Sequence, residues 1–87
     1  MDDQAILEEL LALLGQNNVV LRNEPMGGAG GGLCKLKEKR IFYIDTEAQP
    51  ADTAAICAQA VHKIVDIESV YLRPQIRDFL EKNQQAD

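Results

Sequence analysis

"LCKLKEKRIFYID", residues 33–45, is the stretch that decides the fold of this 87-residue chain. Two runs of strand-forming residues, 33–37 and 40–45, are separated only by Glu38 and Lys39, which predicts a β-hairpin. Glu-Lys is a poor two-residue turn, because tight hairpins favour Asn-Gly or similar residues with positive φ. A longer loop between the two strands is therefore an alternative.

A two-residue loop at Glu38-Lys39 would pair Leu36 with Ile41 and Cys34 with Tyr43. Alternation along the strands then predicts two faces. One face carries Cys34, Leu36, Ile41 and Tyr43, and the other carries Leu33, Lys35, Phe42 and Ile44. Because neither face is purely polar, we expect both faces to be at least partly covered.

Five of the six glycines lie at positions 27–32, directly before this hairpin. Phosphate-binding glycine loops lead into a helix, whereas this one leads into a strand. The dinucleotide spacing also fails, because Leu33 stands where the third glycine would belong. Two interpretations remain: a mobile connection between strands, or a backbone that approaches another group closely. A looser anion site would use Gly27, Gly28, Gly30, Gly31, Gly32 and Lys35.

Periodicity predicts the other elements. Leucines at helical spacing before Gly15 indicate a first helix, and Pro50 and Pro74 suit the first positions of two more. With the glycine-rich loop over 26–32 and the hairpin over 33–45, the predicted elements are a helix over 3–14, a strand over 19–24, a helix over 50–65, an extended piece over 69–72 and a helix over 74–83. They make one α+β domain over residues 1–87. Three helices pack on a small antiparallel or mixed sheet of three strands, or of four if the extended piece joins it.

Cys34, which follows the glycines directly, is the candidate nucleophile. A thiol-dependent enzyme or redox sensor would need a base, and His62 is the only histidine. A small packing residue in a strand explains Cys34 more simply, because free cysteine is often buried. Cys57 lies on the apolar face of its predicted helix, which indicates a core position.

The sequence predicts no metal site and no cofactor. His62 and Asp66 are four residues apart and would share a helical face. The arrangement departs from the HExxH motif of zinc peptidases, because Lys63 replaces the glutamate and Asp66 the second histidine. Cys57 and His62 diverge by roughly 140° around the helix, so they do not converge on one ion.

Composition argues against some partners but does not exclude a local basic patch. The net charge of −5 argues against nucleic acid, whose phosphates require a basic surface. Four of the nine basic residues lie within 35–40, which we interpret as a solvated hairpin tip. No run approaches a membrane span, and the acidic start is unlike a signal peptide. Two cysteines without a disulfide framework favour the reducing cytoplasm.

The run "GGLCKLKEKRIFYIDTEAQP", followed by a helix and then "VYLRPQIRDFLEK", resembles small uncharacterised bacterial proteins. These share a Gly-Gly-Leu-Cys strand, a basic hairpin and a terminal Arg-Pro helix. The resemblance covers residues 19–82 and implies no activity, cofactor or site.

The function predicted from the sequence is a non-enzymatic protein-interaction module. Its partner would be another protein or a second copy, bound by the first helix or by an uncovered sheet face. The alternatives are the thiol-dependent enzyme or sensor, using Cys34 with His62, and the binder of a small anionic ligand at the glycine loop.

Overall fold

The chain is an α+β protein in a computed structural model that describes residues 1–28 and 30–84. The described part holds three helices and three strands. In chain order these are α1 (Asp3–Gln16), β1 (Val19–Glu24), β2 (Gly32–Leu36), β3 (Lys39–Asp45), α2 (Pro50–Ile64) and α3 (Pro74–Lys82). The predicted α+β class and three-stranded sheet are confirmed. Within the described residues, 69–72 form no fourth strand.

The sheet is mixed, and β3 is its central strand. β1 pairs with β3 in parallel, and β2 pairs with β3 antiparallel. β3, the last strand in the chain, therefore lies between β1 and β2, which are not neighbours in the sheet. Because β1 and β3 end at the same edge of the sheet, the connection from β1 to β2 must cross the end of β3.

The hairpin forms with a register two residues away from the predicted one. Cys34, rather than Leu36, is paired with Ile41, and Leu36 is paired with Lys39. The predicted turn at Glu38-Lys39 was wrong, and the two residues between the strands are Lys37 and Glu38. Lys37 takes a φ of 57°, the positive angle that the first position of a type II′ turn requires. A shift of two residues returns every side chain to its own face, so the predicted division between faces holds.

The helices begin and end close to the predicted residues, for local reasons. The Asp2 side chain accepts a hydrogen bond from the amide of Ala5 at 2.8 Å, which caps α1. α1 runs two residues past its predicted end, and the amide side chain of Asn17 then donates to the Leu13 carbonyl at 2.8 Å. Pro50 and Pro74 occupy first turns, as predicted.

The hydrophobic core lies between the helices and one face of the sheet. β3 contributes the fully buried Phe42; α2 packs on β2 and β3, and α1 packs on β1. α3 contacts α1 and α2 and adds a further layer. The main core residues are Leu7, Leu10, Leu14, Val19, Phe42, Ala54, Cys57, Ala58, Val61, Ile76 and Leu80.

The opposite face of the sheet carries no helix in the described part of the chain. We call it the open face; it consists of Val20, Arg22, Glu24, Gly32, Cys34, Leu36, Lys39, Ile41 and Tyr43. Val20 is 45% exposed and Leu36 54% exposed. The sequence predicted that both faces are at least partly covered; in the described part of the chain all three helices gather on the side of Phe42, and the open face is left without a helix.

Burial of Phe42 should dominate the stability of this small core. We expect Phe42→Ala to lower the free energy of unfolding by about 3–5 kcal/mol, because it removes the largest buried side chain. Tyr71→Ala is the matched control: Tyr71 is 87% exposed, so its loss should change stability by about 0.5 kcal/mol or less. Urea unfolding monitored by circular dichroism measures both. Equal losses for the two variants would contradict this position of the core.

Candidate functional site

The glycine loop is shaped by a close approach to the central strand. A Cβ atom at Gly31 would overlap the carbonyl oxygen of Tyr43. Gly30 has a φ of +92°, and a Cβ there would lie 2.8 Å from Cδ1 of Ile56. Of the two interpretations of this loop, the structure supports the one in which the backbone comes close to another group.

A single buried carboxylate holds this loop against the end of β3. Asp45, the last residue of β3, is 2% exposed. Its oxygens accept hydrogen bonds from the backbone amides of Met26 at 3.0 Å, Gly30 at 2.9 Å and Glu47 at 2.9 Å. The Glu47 carboxylate in turn accepts from the amide of Gly27 at 2.7 Å. Two acidic side chains thus accept hydrogen bonds from three amides of the connection between β1 and β2.

The ionised form of Asp45 is favoured in the folded protein. Burial is the largest single influence and acts to raise the pKa of Asp45. The backbone amides of Glu47, Gly30 and Met26, with a smaller contribution from Gly28, together outweigh it and leave the pKa below its ordinary value of 3.8.

Asp45 and Glu47 did not stand out in the sequence. A signal was present, because Asp45 and the amide two residues later form the Asx-turn geometry that aspartate commonly adopts at chain reversals. What the sequence could not show is that the same carboxylate also reaches amides 15 and 19 residues earlier.

These bonds bear on the predicted anion site. The amides of Met26, Gly27 and Gly30 already donate to carboxylates of the chain itself. Their negative charge sits where an external anion would have to bind, which weakens the case for such a ligand. Lys35 is exposed within β2, and Gly28, Gly31 and Gly32 complete the predicted set. Ala29, in the middle of the loop, lies outside the described residues.

The structure does not bring Cys34 and His62 together. Cys34 is exposed on the open face, beside Ile41. His62 belongs to α2, on the other side of the sheet, and its Nε2 lies 2.7 Å from the carbonyl oxygen of Leu80 in α3. The sheet therefore separates the thiol from the imidazole. Cys57 is buried in the core, where burial raises the pKa of its thiol to about 12 and keeps it protonated.

The predicted pairing of His62 with Asp66 does not form. α2 ends at Ile64, so Asp66 lies beyond the helix, where its carboxylate accepts from the Glu68 amide and the Ser69 hydroxyl. Within residues 1–28 and 30–84, no group of three or more His, Cys, Asp and Glu side chains is placed to hold a metal ion.

The open face combines apolar side chains with charged ends. Val20, Cys34, Leu36, Ile41 and Tyr43 lie side by side across its three strands. Ile41, at the centre of this row, is only 7% exposed, although none of the helices that the structure describes lies on this face. An open groove of about 680 Å³ lies at the hairpin end of this face; its lining residues are Leu36, Lys37, Glu38, Lys39 and Ile41.

The two ends of the open face differ in charge. Lys39 and the turn residue Lys37 lie at the hairpin end. Glu24 lies at the opposite end, where β1 and β3 both finish, and Glu47 follows β3 there. Arg22 approaches Glu24 at 3.9 Å on an exposed part of β1, a distance and setting that add little stability.

No family model, curated protein or solved structure matches this chain. Among the helices that the structure describes, none has the length and apolar character needed to cross a membrane.

Asp45→Asn should destabilise the protein in a pH-dependent manner. The pKa of Asp45 in the folded protein lies below 3.8, its ordinary value. The stabilisation that the ionised carboxylate provides is therefore fully present above pH 3.8 and is lost as the pH falls through the folded-state pKa. We expect the variant to have a lower Tm at pH 7 and the difference from the wild type to shrink below pH 3.8. Thermal unfolding across this pH range measures the effect.

The control for this series is Asp78→Asn. Asp78 is exposed and forms an ion pair with Lys82 at 3.0 Å, which contributes little. A constant difference between wild type and Asp45→Asn down to pH 2, or an equal effect of Asp78→Asn, would contradict the role of Asp45.

Two glycine-to-alanine changes should have opposite effects. Gly31→Ala places a methyl group against the Tyr43 carbonyl, so we expect a loss of about 1–3 kcal/mol in the free energy of unfolding. Gly15→Ala meets no atom within 4 Å in α1, so we expect a gain of about 0.5–1 kcal/mol. Denaturant unfolding of both variants measures this. A Gly31→Ala protein as stable as the wild type would contradict the close approach of the loop to β3.

Proposed function

We propose that this chain is a non-enzymatic protein-interaction module and that the open face of its sheet is the contact surface. The observation that carries the proposal is the exposed apolar row on this face, with Val20 and Leu36 45% and 54% exposed. Contiguous apolar surface on a small soluble fold is a common mark of an interaction site.

The first helix offers less to a partner than the open face does. None of the leucines of α1 is exposed, because Leu7, Leu10 and Leu14 are buried and Leu11 and Leu13 are half-buried against the core. A groove beside α1 is bordered by an ion pair between Arg73 and Glu9 at 3.0 Å. The open face therefore supports the proposal better.

The edges of the sheet are poor docking sites for a further strand. The edge strand β2 contains Lys35 and is followed by Lys37, and the edge strand β1 contains Arg22 and Glu24. Charged side chains on edge strands discourage the addition of another strand. A partner would bind across the face rather than along an edge.

The alternative functions find less support in the geometry. A thiol-dependent activity would need a base near Cys34, and the sheet separates Cys34 from His62. An anion site would need free amides in the loop, and three of them donate to Asp45 and Glu47. Neither alternative is favoured by a specific contact.

Photo-crosslinking in cells of the source organism tests the proposal. A benzoylphenylalanine replacing Leu36 on the open face should form a discrete crosslinked product on irradiation. The same group replacing Gln59, which is exposed on α2, is the matched control and should form none. Adding Ile41→Lys to the first variant should abolish the product, because it places a charge at the centre of the apolar row. No product from position 36, or equal products from both positions, would contradict the proposal.

A further inference from the structure

The two charged ends of the open face suggest what covers it. We infer that the partner is a second copy of this chain, packed face to face, with a twofold axis that runs across the strands along the row Val20–Ile41–Cys34. The inference rests on the proposed function and specifies the partner and its orientation. Most oligomers of identical chains are closed by such an axis, which brings the same patch of both copies together.

Charge selects the direction of this axis. Two twofold axes can lie in the plane between facing sheets, one along the strands and one across them. An axis along β3 would place Lys39 of one copy against Lys39 of the other. An axis across the strands reverses the partner and places its Glu24 end over the Lys37–Lys39 end of the first copy. The second arrangement avoids the Lys39–Lys39 contact and brings Glu24, which Arg22 of its own strand also approaches, to the lysine end of the other copy.

Side-chain size fits the same axis. The Leu36–Lys39 pair lies on one side of the central row, and the Gly32–Tyr43 pair lies on the other. Rotation about the central row therefore sets the protruding Leu36 over Gly32 of the partner, which has no side chain. It also sets the ammonium group of Lys39 over the ring of Tyr43, a favourable cation–π arrangement.

The central row then meets itself. Ile41 faces Ile41 of the second copy, and Cys34 faces Cys34, across facing sheets about 10 Å apart that cross at roughly 30°. Each copy would cover the side chains that are exposed on the open face of the other, mainly Val20 and Leu36.

The size of the face sets the strength of the dimer. With strands about 4.8 Å apart and about 3.3 Å per residue, three strands of five residues span roughly 15 by 17 Å. This is below the roughly 800 Å² per partner that a stable interface of standard size buries. We expect a dimer that dissociates on dilution, so the experiment is performed over a range of protein concentrations.

Crosslinking with a short bismaleimide, together with sedimentation velocity, tests the inference. Cys34 is the reactive thiol, because Cys57 is buried and its thiol is kept protonated. The wild type should form a crosslinked dimer at high concentration, and sedimentation should show dimer increasing with concentration. Thiols held together in a complex have an effective concentration in the millimolar range. Ile41→Lys should prevent the two copies from pairing, so we expect it to reduce the crosslinked yield at least about tenfold. Because Ile41 is only 7% exposed, circular dichroism is recorded to check that this variant is folded.

Lys39→Cys in a Cys34→Ser background tests the axis. With the axis across the strands, position 39 lies two residues along β3 from the centre and far from its own counterpart, so we expect little crosslinking. With the axis along the strands, position 39 would face itself. Strong crosslinking at position 39 and none at Cys34 would overturn the proposed orientation.

The outcome separates this inference from the proposed function. Suppose that the protein is a monomer at all concentrations and gives no Cys34 crosslink, while position 36 gives a photo-crosslink to a different protein. That result would contradict the inference that the partner is a second copy and would support the open face as an interaction surface. Failure of both crosslinks would overturn both.

Discussion

The strand order of this protein requires a backbone segment to cross the end of the central strand, and the Asp45 carboxylate holds that segment in place. The segment has no strand partner for its amides, and buried amides must be satisfied. Asp45 and Glu47 together accept from Met26, Gly27 and Gly30. With the segment held there, β3 lies between β1 and β2, and both neighbours are fixed relative to it.

The asymmetry of the sheet follows from this arrangement. All three helices pack on the side of Phe42, directly or through one another, and the loop borders the end of β3 rather than covering the other face. Within residues 1–28 and 30–84, the apolar row around Ile41 therefore has no helix over it. Gly31 is needed for the same arrangement. It allows the loop backbone to lie against Tyr43, where any side chain would prevent this close approach.

Local patterns in the sequence predict much of this fold and little of the site. Pro50, Pro74 and the leucines of α1 mark helices that form nearly where expected, and the residue alternation of 33–45 assigns each side chain to its face despite a register error of two. The parallel pairing of β1 with β3 could not be predicted, because it depends on contacts between distant segments. The role of Asp45 was missed for the same reason, since its partners lie 15 and 19 residues earlier.

The most direct measurement is an NMR pH titration of the backbone amides of Met26, Gly30 and Glu47. If one carboxylate holds all three, their proton shifts should move together with a common midpoint below pH 3.8, the ordinary pKa of an aspartate. Asp45→Asn should abolish all three transitions. Amide shifts that do not respond to pH, or three independent midpoints, would contradict the account.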